Sequence, residues 1–599
     1  MIKIKELMDK RSKLQFSFLF IMIVIKSFLD GFGLGLIAPF ITVLADPSLI
    51  FNHWLFQKIN VYTNIISTQQ LILWMSILVL GFFVIKNLYS LFVIYCQDRL
   101  VFTKRSYMGK VMFEAYMNAS YNYHLDHNSA ELDRNIRFAS SEVYSFVGLF
   151  LKICSNVFLT VFIFIVLIIA NWQAVLTMGL VIVIFSSIIY FFSGKYSYRL
   201  GKIVHESNFH LVQAMKEGLS SIIEIKVHQI ESFFPARYFK YMMANAKANW
   251  RKGVITSVPN LFFEILAVGT LVSATIVLSI RNVELNTVLP MIGLFSFAFI
   301  RLIPSVTNII KNLQDIKFLG PAVSSVHADL KNLDILKKQS GNGKITLRQS
   351  IHFHSLSFEN VSFSFSSKRN INVIKGVTFK INKGQAIGIT GPSGSGKSTL
   401  INMILGLLKP SSGQINVNGK ESQINLANFR SILGYVPQFI ALIDASIREN
   451  IALGLGGNEI DNEKVWSVLK ETKLAEFVKN LPEQLDTFIG ENGMHLSGGQ
   501  RQRLGLARAL YRDPEVLIFD EATSALDVET EKRITKEVMK LSGKRTLIIV
   551  AHRISTIKNC DIIYYLKNGK IVNSGKFNEL KALNTEFRNF SLQSEAEIV

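Results

Sequence analysis

Eight residues, Gly391-Pro392-Ser393-Gly394-Ser395-Gly396-Lys397-Ser398, carry the clearest chemistry in the chain. Glycines let successive backbone N–H groups turn inward, so such a loop can wrap phosphate oxygens. A helix starting behind it would face them with its positive end. Lys397 is placed to reach β- and γ-phosphates and Ser398 to ligate Mg²⁺; Gly391, Ser393, Gly394, Gly396 and Thr399 complete the cradle. The same letters could form an ordinary Gly/Ser turn. A strand-like run before them, Ala386–Thr390, and an apolar helical pattern after them, Thr399 to Leu408, favour the phosphate reading.

Other residues fit the same nucleotide. Val516–Phe519 reads as a buried parallel strand ending in two acids, where ligands of such sheets sit. Asp520 would hold Mg²⁺, and Glu521 would orient or deprotonate the attacking water. Gln438, after the strand Gly434–Val436, offers an amide to Mg²⁺ or water, and His552, after the strand Thr546–Val550, can donate to the γ-phosphate. Phe365 can stack on adenine. Ser497, Gly498, Gly499 and Gln500 form a second cradle of small residues before a helical run, Arg501–Tyr511.

These motifs belong to an α/β domain over 351–599, preceded by a polar linker over 331–350. Ahead of it, residues 1–330 are of another kind. At 599 residues the chain exceeds one domain, typically about 100–200 residues. Charged residues are only 18 %, and most of the 45 Phe lie in the first half. Six apolar segments there can cross a bilayer, which takes roughly 20 helical residues: Leu14–Leu44, Leu71–Cys96, Val143–Ala170, Ala174–Phe192, Ser257–Ile280 and Val288–Ile310. The Asn171-Trp172 turn would separate the third from the fourth.

Charge orients the spans. Gln97–Glu142 and Gly194–Ile255 are rich in Lys and Arg, whereas Ala45–Gln70 has Lys58 alone. Positive loops stay inside, so both long loops and the 351–599 domain are cytoplasmic, in a multi-pass protein of the cell (inner) membrane. The net charge of +21 is thus mainly a topology signal, and no nucleic-acid partner is expected. Cys96, Cys154 and Cys560 imply no disulfide framework. The long cytoplasmic segments have helical periodicity, with coupling turns expected near Tyr123–Asn128 and near Gln229–Phe234 or Met215–Ser220.

Ionisable residues inside spans are costly and tend to face a wet interior. Lys26 and Asp30, four apart, are expected to neutralise each other. Lys86 and Arg301, without such local partners, are candidates to line a substrate cavity.

Together, Gly391–Ser398, Leu496–Gln500, Asp520-Glu521, Ser524–Asp527 and His552 resemble the ATP-binding cassette transporters, and six spans ahead of one cassette resemble the half-size exporter type. The resemblance implies a membrane α-helical domain fused to an α/β P-loop NTPase domain with an α-helical subdomain, and ATP and Mg²⁺ as cofactors. It also implies a homodimer in the bilayer, because in that family the Ser497-type signature of one nucleotide domain closes over ATP held by the other. Short stretches, Pro39–Thr42, Pro259 with Glu264, and Arg301–Ser305, resemble the subfamily that flips lipid-linked oligosaccharides. An amphipathic lipid-linked substrate carrying a diphosphate is then expected, which Lys86 and Arg301 could meet. The alternative is an exporter of lipids, peptides or drugs.

Overall fold

The computed structural model describes residues 10–45, 67–280, 285–339, 352–365, 372–421, 428–521, 535–551 and 553–596. The chain divides into two compact units. One comprises 1–119 and 127–336; the other comprises 120–126 and 337–599.

The first unit is built from long helices: α1 (Lys10–Ala45), α2 (Thr68–Met117), α4 (Ser140–Ser220), α5 (Phe233–Ile280) and α6 (Leu285–Gln339). The short α3 (Tyr121–Asp126), which follows α2, groups with the second unit. Among the described residues, five helical stretches are long and apolar enough to cross a membrane: Lys10–Gly33, Thr68–Met117, Ser129–Ile165, Gly179–Ser220 and Phe233–Gly269. The expected sixth span begins within 285–299, whose side chains lie outside the described ones.

Although α4 spans Ser140–Ser220, the chain reverses within it. Fifteen residues of straight helix would extend about 22 Å. Gly179 instead lies against the Phe164 ring, a Cβ there falling 3.3 Å from it, and Ile163 and Ile182 share one core cluster with Phe263, Leu302 and Val306. The turn expected at Asn171-Trp172 falls between them. Farther along α4, Gly201 allows the backbone of α6 to approach, since a Cβ there would overlap the Phe318 carbonyl oxygen. After Ser220 the chain breaks at Ser221, forms the helix Ile222–His228 and turns through Gln229 in the left-handed region (φ 54°) before Phe233. Helix α6 continues to Gln339, so the linker expected from 331 begins inside a helix.

Two expectations about intramembrane charge change. Asp30 pairs not with Lys26 but with Lys86 on α2, Nζ to Oδ1 at 2.8 Å, and Lys86 is 2 % exposed with its ammonium over the Phe83 ring. A side chain four residues along the same helix loses to one from the packed neighbour, which completes the desolvation of both charges. The Arg301 side chain lies outside the described ones.

In the second unit, β1 (Ser355–Ser364), β2 (Asn372–Asn382), β4 (Ser412–Val417) and β5 (Lys420–Glu421) form an antiparallel sheet in the order β2-β1-β4-β5. A six-stranded sheet runs β10-β9-β3-β8-β7-β6, with β3 (Ala386–Thr390), β6 (Leu433–Val436), β7 (Val516–Asp520), β8 (Thr546–Val550), β9 (Ile562–Lys567) and β10 (Lys570–Gly575). All its pairs are parallel except β10 with β9. Its central strands β3, β7 and β8 are buried on both faces, as parallel strands are. Val516 and Ile518 face one core with Leu400 and Ile401, while Leu517 and Phe519 face the other with Leu504 and Leu510. The helices used below are α7 (Lys397–Ile404) and α8 (Gly498–Tyr511). Cys96, Cys154 and Cys560 are free thiols.

Candidate functional site

Parallel register brings the sequence motifs to one sheet edge. Ile389 pairs with Val550, Val550 with Asp520, and Phe519 with Val436, so β3, β8, β7 and β6 end in one row. Each chemically active segment sits at one of those ends: Gly391–Ser398 after β3, Asp520 as the last residue of β7 with Glu521 behind it, Pro437-Gln438 after β6. The position after Ala551, His552, falls outside the described residues, as do Ser524–Asp527. Thr390 Oγ1 donates to the Ala551 carbonyl (3.0 Å) and Glu521 N to the Val550 carbonyl (2.9 Å), which ties the row together.

The loop after β3 has the backbone its sequence requires. Gly391 (φ 154°) cannot carry a Cβ, which would overlap the Leu566 carbonyl oxygen. Gly394 and Gly396 are left-handed at φ 78° and 104°, and α7 starts directly behind. Lys397 is 6 % exposed and donates to the Gly391 (2.9 Å) and Pro392 (3.1 Å) carbonyls. Burial lowers its pKa, opposed by the negative charge of Glu521 and Asp520. Ser395 Oγ, 3 % exposed as a residue, has no hydrogen-bond partner among the described residues. Ser393, Gly394 and Ser398 are exposed, and Thr399 is half-buried. Glycines with positive φ, a buried ammonium, an unpaired hydroxyl and a helix start together fit a polyphosphate.

Gln438 Nε2 donates to Glu521 Oε2 at 2.8 Å. Glu521 itself has φ 48°, an uncommon conformation for a residue with a Cβ and one that clusters at functional sites. Tyr435 Oη donates to Asp520 Oδ2 at 3.1 Å. Burial, then the adjacent Asp520 carboxylate, raises the Tyr435 phenol, which stays protonated. Two carboxylates and an amide at the edge, next to a phosphate loop and an exposed Ser398 hydroxyl, make an oxygen donor set of the hard kind Mg²⁺ takes. Phe365, just past β1, is exposed and meets Phe363 edge-on at 4.9 Å.

The second cradle opens α8. Ser497 Oγ accepts from Gln500 N (3.2 Å) while Gln500 Oε1 accepts from Ser497 N (2.7 Å), a reciprocal capping box that leaves Ser497 exposed and the Gly498 and Gly499 backbone half-exposed at a helix N-terminus. The apolar side of α8, Leu504, Ala507 and Leu510, is anchored in the core. Tyr435 and Ser395 escaped the sequence reading. A tyrosine inside a buried parallel strand was the available signal, since its hydroxyl requires a partner.

Residues 374–524 match the family model described as "ABC transporter". The chain is 30 % identical over 476 residues, 78 % of each chain, to the ATP-dependent lipid A-core flippase of Burkholderia thailandensis. It is 41 % identical over 229 residues to a multidrug resistance ABC transporter ATP-binding and permease protein of Lactococcus lactis; that match spans 38 % of each chain. The structure of a bacterial Atm1-family ABC exporter with ATP bound superposes with a TM-score of 0.72 at 20 % identity, covering 98 % of this chain and 99 % of that one, a likeness of fold.

Proposed function

The chain belongs to the ATP-binding cassette transporters, and from that membership we propose that two copies form an exporter that flips a lipid-linked oligosaccharide or related glycolipid. As a half-transporter of the exporter type it couples ATP hydrolysis to transport, and it is a multi-pass membrane protein. The observation that carries the ATP site is the shared sheet edge, where the phosphate loop, Gln438, Asp520 and Glu521 stand together. Bound Mg²⁺ supplies charge neutralisation on the phosphate oxygens. Lys397 and the loop amides bind phosphate, Ser398, Asp520 and Gln438 hold the metal, and Glu521 takes the proton of the attacking water. Phe365 stacks on adenine, and His552 donates to the terminal phosphate. Because each chain has one phosphate loop and one Ser497–Gln500 cradle, the reading pairs the loop of one copy with the cradle of the other.

The glycolipid cargo rests on the match to a relative named as a flippase, on the resembling stretches at Pro39–Thr42 and Arg301–Ser305, and on Lys86 as a buried cation. The match to a multidrug relative supports the second reading, a broader lipid or drug exporter. Proteoliposomes decide between them. Polyprenyl-diphosphate glycans should stimulate ATP turnover and be flipped, where plain phospholipid does neither. Equal responses to both would remove the glycolipid reading and leave the broader one.

A further inference from the structure

The hydrogen bond from Tyr435 to Asp520 follows from strand register. Tyr435 on β6 pairs with Ile518 on β7, and Asp520 lies two residues beyond Ile518 on the same face. Diagonal neighbours on a sheet are about 7–8 Å apart at the backbone, within reach of an aromatic side chain. The phenol crosses that gap and donates to Asp520 Oδ2 at 3.1 Å. On that face Tyr435 packs against the core of Ile518 and Val550, and so does Tyr121 of α3. Tyr121 comes from the segment 120–126, which lies in sequence between two membrane-crossing helices but groups with the second unit. Tyr121 and Tyr435 thus pack on one and the same buried core.

We propose that Tyr435 is a positioning residue for the metal-binding carboxylate: its hydroxyl occupies one oxygen of Asp520, presents the other to Mg²⁺, and makes that orientation depend on Tyr121 of α3. A carboxylate free to rotate presents either oxygen in many geometries. A donor fixed at one oxygen sets the directions of the carboxylate's other lone pairs, which is how outer partners tune metal ligands. Tyr435 is suited to this because its ring packs against the buried core that Ile518 belongs to, and its strand register aims the phenol at Asp520. Tyr121 adds a second dependence, because α3 packs on the same buried core as the Tyr435 ring and displacing it removes part of that packing. Seating of a segment contributed from between membrane helices would then alter metal affinity at a strand end.

The inference rests on the reading of Asp520 as a metal ligand, and the experiment separates the two. Full-length protein in nanodiscs is titrated with a fluorescent ATP analogue, in EDTA and across a Mg²⁺ series, and Mn²⁺ binding is followed by electron paramagnetic resonance. Asp520→Asn should abolish the Mg²⁺ dependence of nucleotide binding; if it does not, the reading of Asp520 fails. Tyr435→Phe should leave the EDTA affinity within twofold of wild type and raise the Mg²⁺ and Mn²⁺ half-saturation by about tenfold, the lower end for an outer-partner loss. Tyr121→Ala should raise it less, and the double variant should fall short of the product of the two because both act through packing on one core. With Asp520→Asn behaving as stated, an unchanged metal half-saturation in Tyr435→Phe overturns the positioning role, and so does an equal loss of affinity in EDTA. An unchanged value in Tyr121→Ala overturns the link to α3. Should Tyr435→Phe not fold, an atomic-resolution map of the wild-type protein without the Tyr435–Asp520 contact would overturn the proposal equally.

Discussion

The ion pair between Asp30 and Lys86 separates structural from functional use of an intramembrane charge. The two groups meet at 2.8 Å, with side chains 18 % and 3 % exposed. At an effective dielectric constant of about 20, unit charges that close attract by about 6 kcal/mol, but each costs several kcal/mol to remove from water, so the pair contributes little net stability. Removing one partner is different, because the other charge stays buried and uncompensated at a cost of about 3–5 kcal/mol. Asp30→Asn should therefore raise the population of opened membrane helices by roughly two to four decades. Pulse proteolysis in nanodiscs reads that population. The double variant Asp30→Leu/Lys86→Met, which removes both charges at similar volume, should return to within about 1 kcal/mol of wild type or exceed it. That rescue gives a folded protein without the cation. If Lys86 contacts the anionic headgroup of the cargo, the rescued variant hydrolyses ATP yet no longer flips it; if the pair is structural only, flipping returns with stability. Wild-type protease resistance in Asp30→Asn, or a double variant as labile as the single, would refute the pairing argument.

Three further outcomes follow from the cassette. Glu521→Gln should bind nucleotide and lose turnover by about 10²–10⁴-fold, the worth of a positioned base; steady hydrolysis by this protein would defeat the role given to Glu521. Co-expressing a Lys397→Ala protomer with a Ser497→Arg protomer should preserve ATPase activity, because one of the two composite sites keeps both wild-type halves. Combining both changes in one protomer opposite a wild-type copy should damage both sites, and the reverse ranking would show that each chain completes its own site. Glu515 accepts from Phe353 N and from His352 at 2.8 Å each, and these bonds outweigh its partial burial and hold its pKa below the ordinary glutamate value. A depressed pKa stabilises the folded state above the unfolded-state value and is lost as pH falls through the folded-state value. The melting difference between wild type and Glu515→Gln should thus be largest at neutral pH and shrink below about pH 4.

What the sequence made legible was whatever lies contiguous along it. The phosphate loop could be read because strand, glycines, lysine and helix follow one another within twenty residues, and Asp520 and Glu521 because parallel strands bring their ends to one edge whichever neighbours they choose. What it hid were choices among distant partners. Asp30 had a lysine four residues away and took one 56 residues away, because helix packing decides which cation shares its desolvation. Lys337, Lys338 and Gln339 looked like linker because they are polar, but long straight-chain residues are good helix formers, so polarity marked the exit from the apolar core and not the end of α6. Tyr435 was invisible as a partner of Asp520 until β6 was known to lie beside β7 in a register that sets Tyr435 against Ile518.

The same distinction bears on how the cassette works. Lys397 is engaged with the Gly391 and Pro392 carbonyls, Glu521 with Gln438, and Asp520 with Tyr435, so three groups assigned to nucleotide and metal each have a partner supplied by the chain itself. Nucleotide must exchange those contacts for its own, and the gain is the difference between charge-assisted bonds to phosphate and the bonds given up. Moving a two-state dimer from about 1:99 to 99:1 takes about 5.5 kcal/mol of such differential binding. A chain that already satisfies its catalytic side chains draws less of that from its own half of the site. Under the proposed pairing of one copy's loop with the other's cradle, more of it comes from Ser497–Gln500, whose capping box is preformed and so costs little further ordering on closure. Opening that box should therefore weaken closure of the dimer more than the first encounter of one chain with ATP. Ser497→Ala tests this directly: nucleotide affinity measured at monomer dilution should hold while nucleotide-driven dimer closure falls, and a parallel loss of both would place the differential energy within the single chain instead.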